Sequence, residues 1–305
     1  MANSSTNNAV RQAEQATTPA SVSHIGHWPA NLELQFARGA RGTRLVRNRH
    51  QGPLYVQRPF YPEGPDLPHA YLLHPPGGIV SGDRLQVKVQ MEANARALLT
   101  TPGAGRVYRA RPDRALQHQI NVLRIDAGAS LEWLPLETIV FPDARTRLET
   151  RVELQGDARF IGWEVTSLGL PACEQHFDRG ELSQRFSVHR DGIPMVLEQL
   201  RLDDQHRKLY QSAAGMRSQP INGLFVAGPF AASDLQENQM EALRQLPEPN
   251  GRDYIAGISL TGEFALGRYL GSCSEQARLV FEYWWQQLRP VLLQREACRP
   301  RIWFT

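Results

Sequence analysis

The 305-residue chain is 41% hydrophobic and 21% charged, carries a formal net charge of +3 and contains three cysteines. That length allows a sizeable core, and the charge is too small to argue for nucleic acid by itself. Cys173, Cys273 and Cys298 are too few and too dispersed for a disulfide framework or a cysteine zinc site, and no apolar run approaches the ~18 residues of a membrane span.

Arginine dominates the bases and lysine is scarce, a bias that suits fixed ion pairs and protein interfaces. Residues 1–27 are polar and rich in Ser, Thr and Asn, and they predict a disordered tail. The start has no basic stretch followed by an apolar one, so it does not read as a secretory signal, and a cytoplasmic location is expected.

From Trp28 the pattern alternates. "LELQF" at 32–36 and "LQVKVQM" at 85–91 place their apolar residues on one face, as strands do. "INVLRI" at 120–125, "LETRVEL" at 148–154 and "LSQRFSV" at 182–188 continue the series. The arginines of "RGARGTRLVRNR", 38–49, suit a charged edge hairpin better than a nucleic-acid surface, which calls for aromatics and a larger positive excess.

Between the first two strand runs stands "YLLHPPGGIVSGDRLQVKV", 71–89. Gly77 and Gly82 match the glycine spacing of a phosphate loop, but Asp83 and Arg84 stand where Lys and Ser/Thr belong. A strand pattern follows where a helix should open. The stretch reads as a Pro-Gly turn, with Asp83 capping it at a strand entrance. The dinucleotide, nucleophile-elbow and zinc-protease motifs are also missing.

"MEANARALLTT", "IDAGASLEWLP" and "LQGDARFIGWE" align on Ala95, Ala129 and Ala158, with offsets of 34 and 29 residues. Such a period fits stacked coils or successive hairpins. The last third turns helical. "SDLQENQMEALRQL", 233–246, predicts a helix with Ser233 and Asp234 as caps. "SEQARLVFEYWWQQLRP", 274–290, predicts a second over 274–289, capped by Ser274, with Arg289 in its last turn and Pro290 beyond.

Several blocks together carry a resemblance. "GPLYVQRPFYPEG", "YLLHPPGGIVSGDRL", "LLTTPGAGRVYR", "LEWLPLETIVFPDA" and the ending "LRPVLL…RPRIWFT" resemble, in order, the urease accessory protein D (UreD/UreH) family. The resemblance covers about 28–305 and leaves the tail outside. It implies a mainly β domain, a flattened β-helix-like stack of strands with a small C-terminal helical part. It also implies a non-catalytic maturation factor without a permanent cofactor. Such a factor binds accessory protein F, reaches the GTPase accessory protein G through F, contacts apo-urease and conveys Ni²⁺ in transit along an internal acidic path.

By motif the path acids fall on Asp83, Glu164 and Glu198. Oxygen ligands release divalent nickel more readily than a Cys/His cluster does, which suits a carrier. Where relatives often carry Gly-Arg-Pro-Ala-x-Gly-Glu, this chain has Leu170 in place of Arg and Gln175 in place of Glu, so no ion pair is expected there.

Other polar residues stay open between roles. His74 fits a structural hydrogen bond better than a metal contact, and Glu137 fits either the path or a buried cap to backbone amides. Tyr108 and Arg109 fit either partner contact or internal packing. Trp303 and Phe304 are expected to dock, in the protein's own groove or on F. Two rival readings remain: an adaptor without a metal route, and a β-helix enzyme, which would show acids and aromatics along an exposed groove.

Overall fold

The computed structural model describes residues 28–246 and 253–304; the predicted tail lies outside them. In chain order the first strands are β1 (Trp28–Gly39), β2 (Gly42–Gln51), β3 (Tyr55–Val56), β4 (His69–Leu73), β5 (Asp83–Met91), β6 (Arg96–Thr100), β7 (Gly105–Val107) and β8 (Gln117–Ile125). Then come β9 (Ser130–Leu134), β10 (Thr138–Val140), β11 (Arg145–Leu154), β12 (Arg159–Leu168), β13 (Glu181–Arg190) and β14 (Ile193–Leu202). The helix α1 (Arg207–Gln211), β15 (Ile221–Gly228), α2 (Glu237–Arg244), β16 (Tyr254–Thr261), β17 (Phe264–Gly271) and α3 (Ser274–Leu293) follow.

The strands form two sheets. The first runs β14-β13-β11-β8-β5-β1-β2, and the second β16-β17-β15-β12-β9-β6-β4-β3, with β10 and β7 attached at β12. In the first sheet every neighbour from β13 to β1 is parallel, and only the edge strands β14 and β2 are antiparallel. β4, β6, β9 and β12 are parallel in the second.

The sequence repeat has a physical origin. Arg96 lies opposite Ser130, and Ser130 opposite Arg159, which reproduces the offsets of 34 and 29 residues. Each unit turns from the first sheet to the second through the same bond: Ala95, Ala129 and Ala158 donate their N–H to the carbonyls of Glu92, Asp126 and Gln155 at 2.9, 3.0 and 3.0 Å. All three alanines are buried. A larger side chain would have no room where one turn stacks on the next.

A core fills the space between the sheets. Leu85, Val87, Val89 and Met91 of β5 face Leu99, Leu131 and Phe160 of the second sheet, as period-two alternation requires. A second core lies outside that sheet, under α3, where Ala277, Phe281, Trp284, Trp285, Leu288 and Leu292 are buried. Each large apolar side chain buried there stabilises by about 1.5–3 kcal/mol.

Close approach of α3 needs Gly267 in β17, where an added Cβ would stand 2.3 Å from the Trp284 ring. Gly267→Ala is therefore expected to lower stability by about 1–3 kcal/mol through overpacking. Denaturant unfolding followed by tryptophan fluorescence checks this; an unchanged midpoint would show that the helix can shift at little cost.

The helices depart from expectation in detail. There are three among the described residues rather than two. The five-residue α1 is too short to leave a periodic trace. The helix expected over 233–246 is only Glu237–Arg244. Asp234 caps the preceding turn by accepting the Ala231 N–H at 2.8 Å, and a reciprocal Gln236–Gln239 capping box starts the helix.

The second helix runs four residues past 289, and no side chain caps it: Ser274 is its first residue and Cys273 its N-cap. Pro290 lies inside it, one turn from the end. There a single lost backbone bond is offset by the burial of Leu292 and Leu293.

Candidate functional site

The glycines of 71–89 serve packing. Gly82 adopts a left-handed φ of 89°, and an added Cβ on Gly78 would stand 2.4 Å from the Tyr108 ring. The turn they build seats Asp83 at the first position of β5. Asp83 accepts the Val80 N–H at 2.8 Å and returns its own N–H to the Val80 carbonyl at 3.0 Å, so it caps the turn as its position suggested.

Burial pushes the Asp83 carboxyl up, against the opposing pull of the Val80 N–H, His74 and Arg111. Burial likewise pushes the His74 imidazole down, opposed by Asp83.

Between the sheets lies a cavity of about 270 Å³. Most of its wall is apolar, with Leu32, Leu85, Val87 and Trp133 among the lining residues. One end is walled by the turns at 74–77 and 101–106, which reach the surface.

Deep in the cavity wall a chain of polar side chains crosses from sheet to sheet. Gln119 donates to Asn121 at 3.4 Å, Asn121 to Thr150 at 2.9 Å, and Thr150 to the Oε1 of Glu164. From the other side Gln184 donates to Oε2 of Glu164 at 2.9 Å, and Thr166 donates to Gln184 at 3.1 Å. Burial pushes the Glu164 carboxyl up, and the Thr150 and Gln184 donors offset only part of that.

No basic side chain pairs with Glu164 among the described residues. Its surroundings are neutral amide and hydroxyl groups, whose oxygens can turn toward a cation.

The three acids expected together are not in one place. Glu164 lines the cavity. Asp83 lies beside it, behind His74 and Leu85, which do line it. Glu198 is on the inward face of the edge strand β14 and pairs with Arg268 of β17, closing the gap between the two sheets. Among the described residues no group of three His, Cys, Asp or Glu side chains is arranged to hold a metal.

The sequence reading missed Gln119, Asn121, Thr150, Thr166 and Gln184. Their signal was available: they occupy inward positions of β8, β11, β12 and β13, where alternation calls for apolar residues.

A second polar cluster fixes α3 to the second sheet. Arg289 is fully buried; its Nε and Nη2 donate to Glu132 at 2.9 and 3.0 Å, and Nη2 donates to Glu63 at 2.7 Å. Trp285 donates to Glu132 at 2.7 Å, and His69 meets Glu63 at 2.8 Å. Glu132 is therefore an ion-pair partner, and Arg289 does more than complement a helix dipole. Burial works against the Arg289 charge, but Glu132 and Glu63 more than compensate and hold its pKa up.

Glu137 meets Ser274 at the start of α3 and does not line the cavity. Tyr108 packs on Phe141, while Arg109 is exposed and reaches Asp143 only at 4.0 Å. Leu170 and Gln175 bond each other through their backbones around a tight turn. Trp303 docks in the protein's own groove, donating to Thr100 at 2.9 Å and packing on Trp163 and Trp285; Phe304 is exposed.

Among the described residues no helix is long and apolar enough to cross a membrane. The family model for the UreD urease accessory protein matches residues 29–304. A urease accessory protein UreD of Marinomonas sp. (strain MWYL1) is 47% identical over 283 residues, covering 91% of this chain and 90% of that protein. UreD of Alcanivorax borkumensis is 38% identical over 297 residues, 96% and 97% of the two chains. A protein named UreD 2 of Brucella anthropi is 40% identical over 278 residues, 91% and 98% of the two. The chain therefore belongs to the UreD family of urease accessory proteins.

Proposed function

We propose that this chain is a non-catalytic, cytoplasmic scaffold of urease maturation. It binds accessory protein F, through F the GTPase G, and apo-urease, and it passes Ni²⁺ along its interior to the urease site. The observation that carries the nickel route is Glu164: one carboxylate, held by neutral donors, on the wall of a cavity between two sheets. An anionic group with no basic partner, among amide and hydroxyl oxygens, attracts a divalent cation without enclosing it, which suits cargo in transit.

In this reading His74 lines the cavity, Asp83 stands behind it, and Glu198 joins the route only when Arg268 swings away. Residues 28–305 act as one scaffold. Its description as a flattened β-helix-like stack is supported by the parallel registers and the repeated alanine turns.

An adaptor without a metal route is the second reading. It is favoured by the engagement of Asp83 with a backbone amide and of Glu198 with Arg268.

The test is co-expression with F, G and apo-urease, with Asp83, Glu164 and Glu198 replaced by Ala singly and together. The nickel route predicts intact complexes with nickel content in urease reduced most by Glu164→Ala. Full nickel loading in the triple variant would leave only the adaptor, and loss of assembly would assign the acids to structure.

A further inference from the structure

The edges of a sheet are where a strand-rich protein recruits or repels other chains. The first sheet has two, and they are built differently. The β2 edge exposes Arg44, Arg47 and Arg49, a row of cations that discourages another strand. The β14 edge exposes Ile193, Met195 and Leu197 on its outer face, at 63%, 37% and 58%. Its far side pairs with no strand among the described residues. Pro194 and a bulge at Val188/His189 disturb only its start; from 196 to 202 the ladder with β13 is regular.

Cations surround this apolar row. Arg185 lies opposite Gln199 and Ser183 opposite Arg201. Both arginines are exposed; among the described residues Arg201 pairs only with Asp203, and Arg185 with no acid. The same outer face continues through the exposed Arg84, Arg147 and Arg151, the last two paired with Glu149 and Glu153, and among the described residues no helix covers it. A parallel sheet is normally covered on both faces.

We propose that β14 is the docking strand for an extended segment of another protein, one whose outward side chains run from apolar to acidic. Its backbone would complete the β14 ladder, its apolar side chains would cover Ile193, Met195 and Leu197, and its carboxylates would meet Arg185 and Arg201. Self-pairing fits less well, since a second copy would bring its own arginines to this edge. The proposal rests on the scaffold reading, yet its test needs neither nickel nor urease, so either can fail alone.

The probe is a nine-residue valine–threonine peptide with two glutamates at one end, made in both chain directions, beside versions with lysine replacing glutamate. With the purified full chain, a glutamate peptide is expected to bind saturably and to slow hydrogen exchange of the β14 amides that point away from β13. The lysine peptides, and the variant Leu197→Lys/Arg185→Glu, should bind at least about tenfold more weakly. Equal binding of the two peptide charges, or no protection of β14, overturns the proposal. So does a dimer whose β14 amides are already protected without peptide, because the occupant would then be a second copy.

Discussion

Arg289→Ala is expected to lower the unfolding free energy by about 3–5 kcal/mol, read as an earlier urea midpoint at unchanged slope. The size follows from what remains behind. Arg289 is enclosed, and both Glu132 and Glu63 direct oxygens at it. Removing the guanidinium leaves two buried carboxylates with only Trp285 and His69 as donors.

The loss has a pH signature. In the parent, burial alone would raise the Glu63 pKa, but the bonds from His69 and Arg289 bring it below its ordinary 4.5. A lowered pKa contributes stability that is present above 4.5 and lost as pH falls through the folded-state value. The variant lacks that contribution, so its stability should fall less steeply on acidification. Arg289→Lys should be intermediate, since an ammonium cannot make the fork to Glu132. A midpoint within experimental scatter of the parent would show that α3 docks through its apolar stripe alone.

That cluster also shows where a sequence is silent. The apolar stripe of α3 was legible because Ala277, Val280, Phe281, Trp284 and Leu288 recur at helical spacing. The ion pair was not, because Glu63, Glu132 and Arg289 are brought together only by the packing of a helix on a distant strand. The repeat was legible through Ala95, Ala129 and Ala158, since each sits in the same small turn, but only the parallel registers tell its units from successive hairpins.

The cavity lay between. Gln119, Asn121 and Gln184 stood at inward positions in plain view, but alternation says only that a polar residue faces inward, not that six of them join across two sheets. Glu198 shows the converse limit. Its motif placed it among path acids, and its position on an edge strand gave it an arginine partner that no local pattern contains.

Glu164→Gln is expected to raise stability at neutral pH and to reduce nickel delivery at the same time. The Glu164 pKa is raised by burial. Below 4.5 the carboxyl is protonated whether the chain is folded or not, and it contributes no penalty. As pH rises past 4.5 the unfolded chain ionises first, the folded state retains its proton, and stability declines until the raised pKa has been passed. A glutamine has no charge to desolvate, so the variant should lose that decline; Gln184 can rotate its amide to meet it.

Nickel delivery should move the other way. A proton and a cation compete for the same oxygens, so delivery by the parent should weaken as pH falls through the raised pKa. The glutamine variant should deliver roughly tenfold less and show no such pH dependence. Thermal unfolding across pH and nickel content of matured urease read the two effects separately. If the carboxylate only satisfies Thr150 and Gln184, the exchange to glutamine should leave nickel loading whole. On the transit reading, the acid that the fold keeps in the cavity wall without a basic partner, at a cost in stability, is the charge the cargo uses; on the packing reading that cost goes unreturned.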